Sequence, residues 1–133
     1  MANYGMKVKV KGNLDEVKAK VMEALKAQGF GVLTEIDIQK TLKQKIGVEF
    51  EPYLILGACN PSFAYRALSA DKEIGLLLPC NVVLKQVNEG VEVSIQDPEV
   101  MFSVVDAEVQ KSMAGFPQEV KHSLQSVLET LKS

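Results

Sequence analysis

The sequence is poor in the residues from which metal sites and nucleophilic sites are built. Its 133 residues include one histidine and two cysteines. Two cysteines exclude a disulfide scaffold and a four-cysteine zinc site, and a single histidine excludes a histidine-rich metal centre. The chain also lacks the phosphate-binding motif G-x-x-x-x-G-K-[ST] and the dinucleotide-binding motif G-x-G-x-x-G. Its formal net charge of -2 gives no support for nucleic-acid binding.

Long apolar segments are also missing. The longest apolar runs cover residues 54–59 and 74–78, far fewer than the roughly 18 consecutive residues that a membrane-spanning helix needs. From Met6 to Lys11 the chain alternates apolar residues with lysine, and it shows no signal-peptide pattern. We therefore expect a cytoplasmic protein that makes no membrane contact and keeps its thiols reduced.

The residues that are present favour one domain over residues 1–133. Hydrophobic residues make up 47% of the chain and charged residues 24%, a composition typical of globular proteins. No internal repeat, low-complexity tract or Gly/Ser-rich linker divides the sequence. A chain of this length buries a sizeable core without needing disulfides or metals.

Alternating and helical patterns of apolar residues follow one another along the chain. Asn13 and Gly29 bound the clearest helix, because asparagine caps helix N-termini and glycine often ends helices. Asp37 and Gly47 bound the next helix in the same way. A turn before the last strand contains Gly90, which we expect to take a positive φ. Strands are predicted at 6–10, 30–36, 53–59, 74–78, 82–87 and 91–96, and helices at 13–28, 38–46, 61–70, 104–113 and 117–131.

This order of elements predicts an α+β fold. We expect a two-layer α/β sandwich, in which helices pack on a mostly antiparallel sheet of about five or six strands. The strands at 53–59 and 74–78 are apolar throughout instead of alternating. Such strands must be covered on both faces, by helices or by another subunit. Because the chain has few helices for a second face, we expect a homodimer.

The two cysteines occupy matching places in the sequence. Cys59-Asn60 and Cys80-Asn81 each follow an apolar segment that is predicted to be a strand. If these strands are neighbours, the two thiols approach each other. Asn60 is expected to cap a helix, whose dipole would favour the thiolate of Cys59. The alternative is that both thiols are small core residues, because no Cys-x-x-Cys spacing and no nearby histidine supports their activation.

The single arginine and the single histidine are the other candidates. Arg66 lies on the predicted helix that follows Asn60. Its guanidinium would hold a carboxylate or phosphate with two parallel hydrogen bonds, or it would form a surface salt bridge. His122 lies away from the apolar stripe of the last helix, so we expect it on the surface. A zinc site would therefore need carboxylates to complete it.

Two strings resemble one known family. Residues 55–61 read ILGACNP and residues 75–83 read GLLLPCNVV, and both resemble the domain-of-unknown-function 302 (DUF302) family of bacterial and archaeal proteins. The resemblance extends over most of the chain, through Asp97-Pro98 to Met101. It implies a two-layer α/β domain that associates as a dimer. It implies no known reaction, substrate or catalytic residue.

Functions from three classes remain open at this point. The first is a homodimeric small-ligand-binding or regulatory module without a cofactor, whose pocket includes Cys59, Asn60, Arg66, Cys80 and Asn81. The second is a thiol-based redox enzyme that uses the two cysteines. The third is a protein that binds zinc.

Overall fold

The computed structural model describes residues 4–132. Within them the strands are Gly5–Val10 (β1), Gly31–Asp37 (β2), Tyr53–Cys59 (β3), Cys80–Val87 (β4) and Gly90–Gln96 (β5). The helices are Leu14–Ala27 (α1), Ile38–Ile46 (α2), Pro61–Ala70 (α3), Pro98–Phe102 (α4), Ala107–Ser112 (α5) and Phe116–Leu131 (α6), and Lys72–Leu77 forms a 3-10 helix. In this part of the chain no helix is long and apolar enough to cross a membrane.

All strand pairs are antiparallel, in the order β1-β5-β4-β3-β2. One face of this sheet packs against α1 and α6, which also contact each other. The largest fully buried side chains come from both layers: Leu25, Leu56, Leu84, Ile95 and Leu124. Burying each of these contributes roughly 1.5–3 kcal/mol to folding. The predicted α+β class and two-layer sandwich are confirmed.

The first two helices begin and end where local signals place them. The side chain of Asn13 accepts a hydrogen bond from the N–H of Glu16 at 2.9 Å, and the Glu16 carboxylate accepts one from the N–H of Asn13 at 3.1 Å. This reciprocal capping box satisfies two N–H groups that the first helical turn leaves free. Asp37 caps α2 in a similar way, and Gly47 ends it with a φ of 68°.

Residues 74–78 are not a strand, and that prediction was wrong. Most of the segment belongs to the 3-10 helix Lys72–Leu77, in which Ile74 is buried and Leu76 is exposed. A short apolar run does not by itself distinguish a strand from a buried helical segment. The sheet therefore has five strands among the described residues, and Cys80 begins β4 instead of following a strand.

The turn between β4 and β5 lies where it was predicted, but its glycine has another purpose. Glu89 takes the positive φ, of 66°, and Gly90 does not. A Cβ atom on Gly90 would lie 2.5 Å from the backbone oxygen of Val10. Gly90 therefore allows β1 to approach β5 closely.

The helix predicted at 104–113 is shorter and is preceded by another. The chain forms α4 directly after β5, and α5 covers only Ala107–Ser112. The side chain of Asp97 caps α4 by accepting a hydrogen bond from the N–H of Glu99 at 2.9 Å. Pro98 is the first residue of α4, where its missing N–H is not needed. This early helix packs against α6.

Candidate functional site

A cavity of about 70 Å³ lies at one end of the sheet, where β3 and β5 end and β4 begins. The helices α3 and α4, the 3-10 helix and the first turns of α6 surround it. Its walls are mainly apolar and include Phe30, Phe63, Ile74, Leu77, Phe102 and Phe116. Of the predicted pocket residues, Cys59, Asn60 and Cys80 line this cavity, whereas Arg66 and Asn81 do not.

Four phenylalanine rings form a continuous row along the cavity. The ring centroids of Phe30 and Phe63 lie 6.1 Å apart, and Phe63 meets Phe116 edge-on at 5.9 Å. Phe102 lies 5.9 Å from Phe116 at the other end of the row. Tilted and edge-on pairs at these distances contribute about 0.5–1.5 kcal/mol each beyond the burial of their area. The row therefore gives the cavity a rigid wall.

The structure brings Cys59 and Cys80 to the same cavity. Ala58 of β3 is paired with Cys80 of β4, so that Cys59 is the next residue along the neighbouring strand. Both thiols are free and half-buried. Burial, with a smaller effect of the nearby Cys59, raises the pKa of Cys80 to about 11. At neutral pH Cys80 is therefore a protonated thiol, which is a poor nucleophile.

Asn60 lines the cavity, but its side chain is already engaged by the backbone. Its Oδ1 accepts hydrogen bonds from the N–H groups of Ser62 at 3.1 Å and Phe63 at 3.3 Å, which caps α3 as predicted. Its Nδ2 donates to the backbone oxygen of Gln28 at 3.2 Å. Asn60 therefore joins the start of α3 to the end of α1.

Asn81 lies outside the cavity. It lines a groove of about 480 Å³ on the outer face of the sheet, the face opposite α1 and α6. Its backbone N–H donates a hydrogen bond of 3.0 Å to the side-chain oxygen of Gln96. Gln96 and Met101 line both the cavity and this groove, so they form the partition between them.

Arg66 forms a bidentate ion pair, as its sequence position suggested, and its partner is a carboxylate of the same chain. Its Nη1 and Nη2 donate to the two oxygens of Glu119 at 2.9 and 3.1 Å. The guanidinium also lies 4.9 Å from the centroid of the Phe116 ring, which lines the cavity. Hydrogen bonding to Arg66 lowers the pKa of Glu119. Arg66 is thus a link between α3 and α6 on the outside of the cavity wall.

A second link, which no local sequence pattern indicated, joins α4 to α6. Lys121 Nζ donates to Asp97 at 3.0 Å and to Glu99 at 2.8 Å. Asp97 is 9% exposed, and the ammonium group of Lys121 and the N–H of Glu99 are the hydrogen-bond partners of its carboxylate. Hydrogen bonds from Lys121 and then from Gln118 lower the pKa of Glu99. The two helices that form opposite walls of the cavity are therefore each tied to α6.

The described residues give little support to the third possibility, a zinc site. His122 is exposed on α6, as predicted. Over residues 4–132, no group of three or more His, Cys, Asp and Glu side chains is arranged to hold a metal ion. Structural zinc sites use four such ligands.

Comparison with known proteins gives a family and a related structure. The sequence profile of the family described as "Domain of unknown function DUF302" matches residues 6–131. The crystal structure of an uncharacterized conserved protein DUF302 from Bacillus stearothermophilus is similar to this chain, with a TM-score of 0.84 and 27% sequence identity. That similarity covers 98% of this chain and 99% of the other. No curated protein matches.

Proposed function

The chain belongs to the DUF302 family, whose function is unknown, and for this member we propose the binding of a small ligand in the cavity between β3, β4 and α6. In this proposal the protein works in the cytoplasm. One observation carries it: an apolar cavity lies at the ends of strands, and two cysteines, Asn60 and Gln96 are among its lining residues. Cavities of this kind are the usual place for small-molecule sites.

The size of the cavity limits the ligand. A volume of about 70 Å³ exceeds the roughly 10–15 Å³ of cavity that one water molecule needs. It is well below the roughly 300–1,000 Å³ of pockets for drug-sized molecules. The ligand therefore has only a few non-hydrogen atoms unless α3 or α4 moves outwards.

The walls support binding without a large rearrangement. Arg66 and Lys121 tie α3 and α4 to α6, and the row of phenylalanine rings stiffens the wall between them. A preformed site loses less conformational freedom on binding than a flexible one. Binding of a very small ligand is consistent with such a rigid cavity.

A variant that fills the cavity tests this proposal. Ala64 lines the cavity and Ala70 is exposed at the end of the same helix, so Ala64→Leu and Ala70→Leu form a matched pair. Thermal unfolding is followed with a panel of small alcohols and aromatic compounds. We expect some compounds to raise the Tm of the wild type and of Ala70→Leu, because they bind only the folded state. Ala64→Leu should not respond, and an equal response of all three proteins would contradict the proposal.

A thiol-based redox activity is the second candidate, and the shared cavity of Cys59 and Cys80 supports it. The reaction would oxidise the two thiols to a disulfide while a low-molecular-weight disulfide is reduced to two thiols. The raised pKa of Cys80 disfavours it as the attacking group, which leaves Cys59 for that role. Loss of both free thiols on incubation with glutathione disulfide, without mixed adducts, would support this candidate.

We also propose that the chain forms a homodimer. Exposed apolar side chains occur on β2, on α2 and in the segment after α2, and we call this set the α2 patch: Leu33, Ile36, Ile46, Val48 and Phe50. No residue of α2 is buried within the single chain. Apolar surface of this kind often marks an interface between proteins.

A further inference from the structure

The groove of about 480 Å³ on the face of the sheet opposite α1 and α6 is a second concave surface, and we call it the outer groove. Its lining includes Lys7 of β1, Asn81 of β4 and Ser94 of β5. The neighbours of these residues along each strand pack against the core on the other face: Val8, Val82, Val93 and Ile95. Since successive side chains of a strand point to opposite faces, the side chains of Lys7, Asn81 and Ser94 project from the face that bears the groove.

Strand pairing brings these three polar side chains close together. Lys7 lies directly opposite Ser94 in the pairing of β1 with β5, and Ser94 lies opposite Val83 in the pairing of β5 with β4. Asn81, two residues before Val83, is therefore a diagonal neighbour of Ser94. Directly opposite residues have Cβ atoms about 4.5–5.5 Å apart, and diagonal neighbours lie about 7–8 Å apart. At this spacing the ammonium, the hydroxyl and the amide reach one small ligand.

These three groups are free to contact a ligand. Over the described residues, the ammonium of Lys7 forms no ion pair, and the side chains of Ser94 and Asn81 form no hydrogen bond. The one carboxylate among the described lining residues belongs to Glu92, and Lys85 binds it at 3.2 Å. Lys7 therefore brings a positive charge to the groove that no carboxylate of the lining neutralises, beside two groups that donate hydrogen bonds.

We propose that the outer groove binds a small organic monocarboxylate. The ammonium of Lys7 pairs with the carboxylate, and the hydroxyl of Ser94 and the amide of Asn81 donate hydrogen bonds to its oxygens. Two lysines and one glutamate in the described lining leave one positive charge, which matches the single negative charge of this ligand. Gln96 and Met101 separate the groove from the cavity, so this is a second site that does not rest on the cavity proposal.

The rest of the groove suits a flat apolar ligand body. A volume of about 480 Å³ lies within the roughly 300–1,000 Å³ of small-molecule pockets, so the ligand extends beyond its carboxylate. Val83 and Tyr53 both line the groove, next to the polar set. The ring of Tyr53 meets the ring of Phe50 edge-on, with centroids 6.0 Å apart. An aromatic ring of the ligand packs favourably against such a tyrosine.

Titration with benzoate and with its uncharged analogue benzamide, followed by amide NMR, tests the proposal. We expect benzoate to shift the signals around Ser94 in a saturable way, and benzamide to bind about tenfold more weakly because it lacks the charge. Lys7→Met should weaken benzoate binding by a similar factor. Lys9→Met is the matched control, because Lys9 is an exposed lysine of β1 on the same face that does not line the groove. It should leave binding unchanged.

Several results would overturn the proposal. Equal binding of benzoate and benzamide by the wild type would show that the charge is not recognised, and unchanged benzoate binding by Lys7→Met would show that Lys7 is not its partner. The absence of saturable shifts with both benzoate and hexanoate would refute the site. Ala64→Leu, which fills the cavity, should bind benzoate like the wild type. If it alone loses benzoate, the ligand occupies the cavity and not the outer groove. The same NMR spectra show that each variant is folded.

Discussion

Arg66 and Glu119 are joined by two nearly parallel hydrogen bonds of 2.9 and 3.1 Å, although 53 positions separate them in the sequence. The pair connects α3 to α6 over the wall of the cavity, and the guanidinium also lies on the ring of Phe116. An exposed ion pair stabilises a protein little through its charge alone. Its importance here is that it fixes the position of a helix that lines the proposed site.

The ion pair of Arg66 and Glu119 makes the free energy of unfolding depend on pH, and acid weakens the stabilisation. The pKa of Glu119 in the folded protein lies below its ordinary value of 4.5. The stabilisation is therefore present above pH 4.5 and is lost as the pH falls through the lower, folded-state pKa. We expect the Tm of the wild type to exceed that of Glu119→Gln at pH 7, and the difference to shrink as the pH is lowered below 4.5. A difference that stays constant down to acidic pH would contradict this role.

The link that Lys121 forms between α4 and α6 should be more sensitive to substitution than the exposed pair of Arg66 and Glu119. Lys121→Met leaves the nearly buried carboxylate of Asp97 without its ammonium partner, which costs about 1–3 kcal/mol in the free energy of unfolding. Unfolding in urea measures this loss, with an unchanged m-value expected. Lys111→Met, at an exposed lysine on α5, is the control and should change little. Equal effects of the two variants would show that Asp97 does not depend on Lys121.

The reactivity of Cys80 follows from its raised pKa. Below its pKa of about 11, the thiolate fraction and the alkylation rate rise about tenfold with each pH unit. We expect Cys80 to react slowly with iodoacetamide at pH 7 and faster towards pH 10, as measured by mass spectrometry of the labelled peptide. In urea, its rate should match that of an ordinary cysteine. Rapid labelling of the folded protein at pH 7 would instead favour the thiol-based candidate.

The proposed dimer predicts a specific effect in the α2 patch. Ile46 is 67% exposed on α2, next to the exposed Lys45. Ile46→Glu places a charge among apolar side chains of the proposed interface, whereas Lys45→Glu changes charge without touching the apolar set. Sedimentation velocity at micromolar concentration should give a dimer for the wild type and for Lys45→Glu, and a monomer for Ile46→Glu. A monomeric wild type would contradict the proposed dimer.

The parts of the fold that the sequence predicted well are those with local signals. Asn13 and Glu16 lie three residues apart and form the capping box of α1. All of its hydrogen-bonding groups therefore lie within one short segment of the sequence. The same holds for Asp37 and Gly47 at the ends of α2. The segment at 74–78 was mistaken for a strand because five apolar residues fit a strand and a buried helical turn equally well.

The ligand site stays a prediction, and only part of its predicted residue set lines the cavity. The two Cys-Asn steps bring Cys59 and Cys80 to one cavity. The partners of Arg66 and Asp97 depend on how α6 crosses the other helices. Such pairs join residues far apart in the sequence, so no local pattern contains them. Met101 also lines the cavity, which no local pattern in the sequence indicated.

The most direct test of the ligand proposal is a native mass spectrum of the protein purified gently from cells. The account predicts that the wild type and Ala70→Leu carry the same additional small mass in each chain. Ala64→Leu, whose added carbons fill the cavity, should show the mass of the chain alone. A wild-type spectrum without any bound mass, unchanged after small compounds are added, would contradict the claim that this cavity is a binding site.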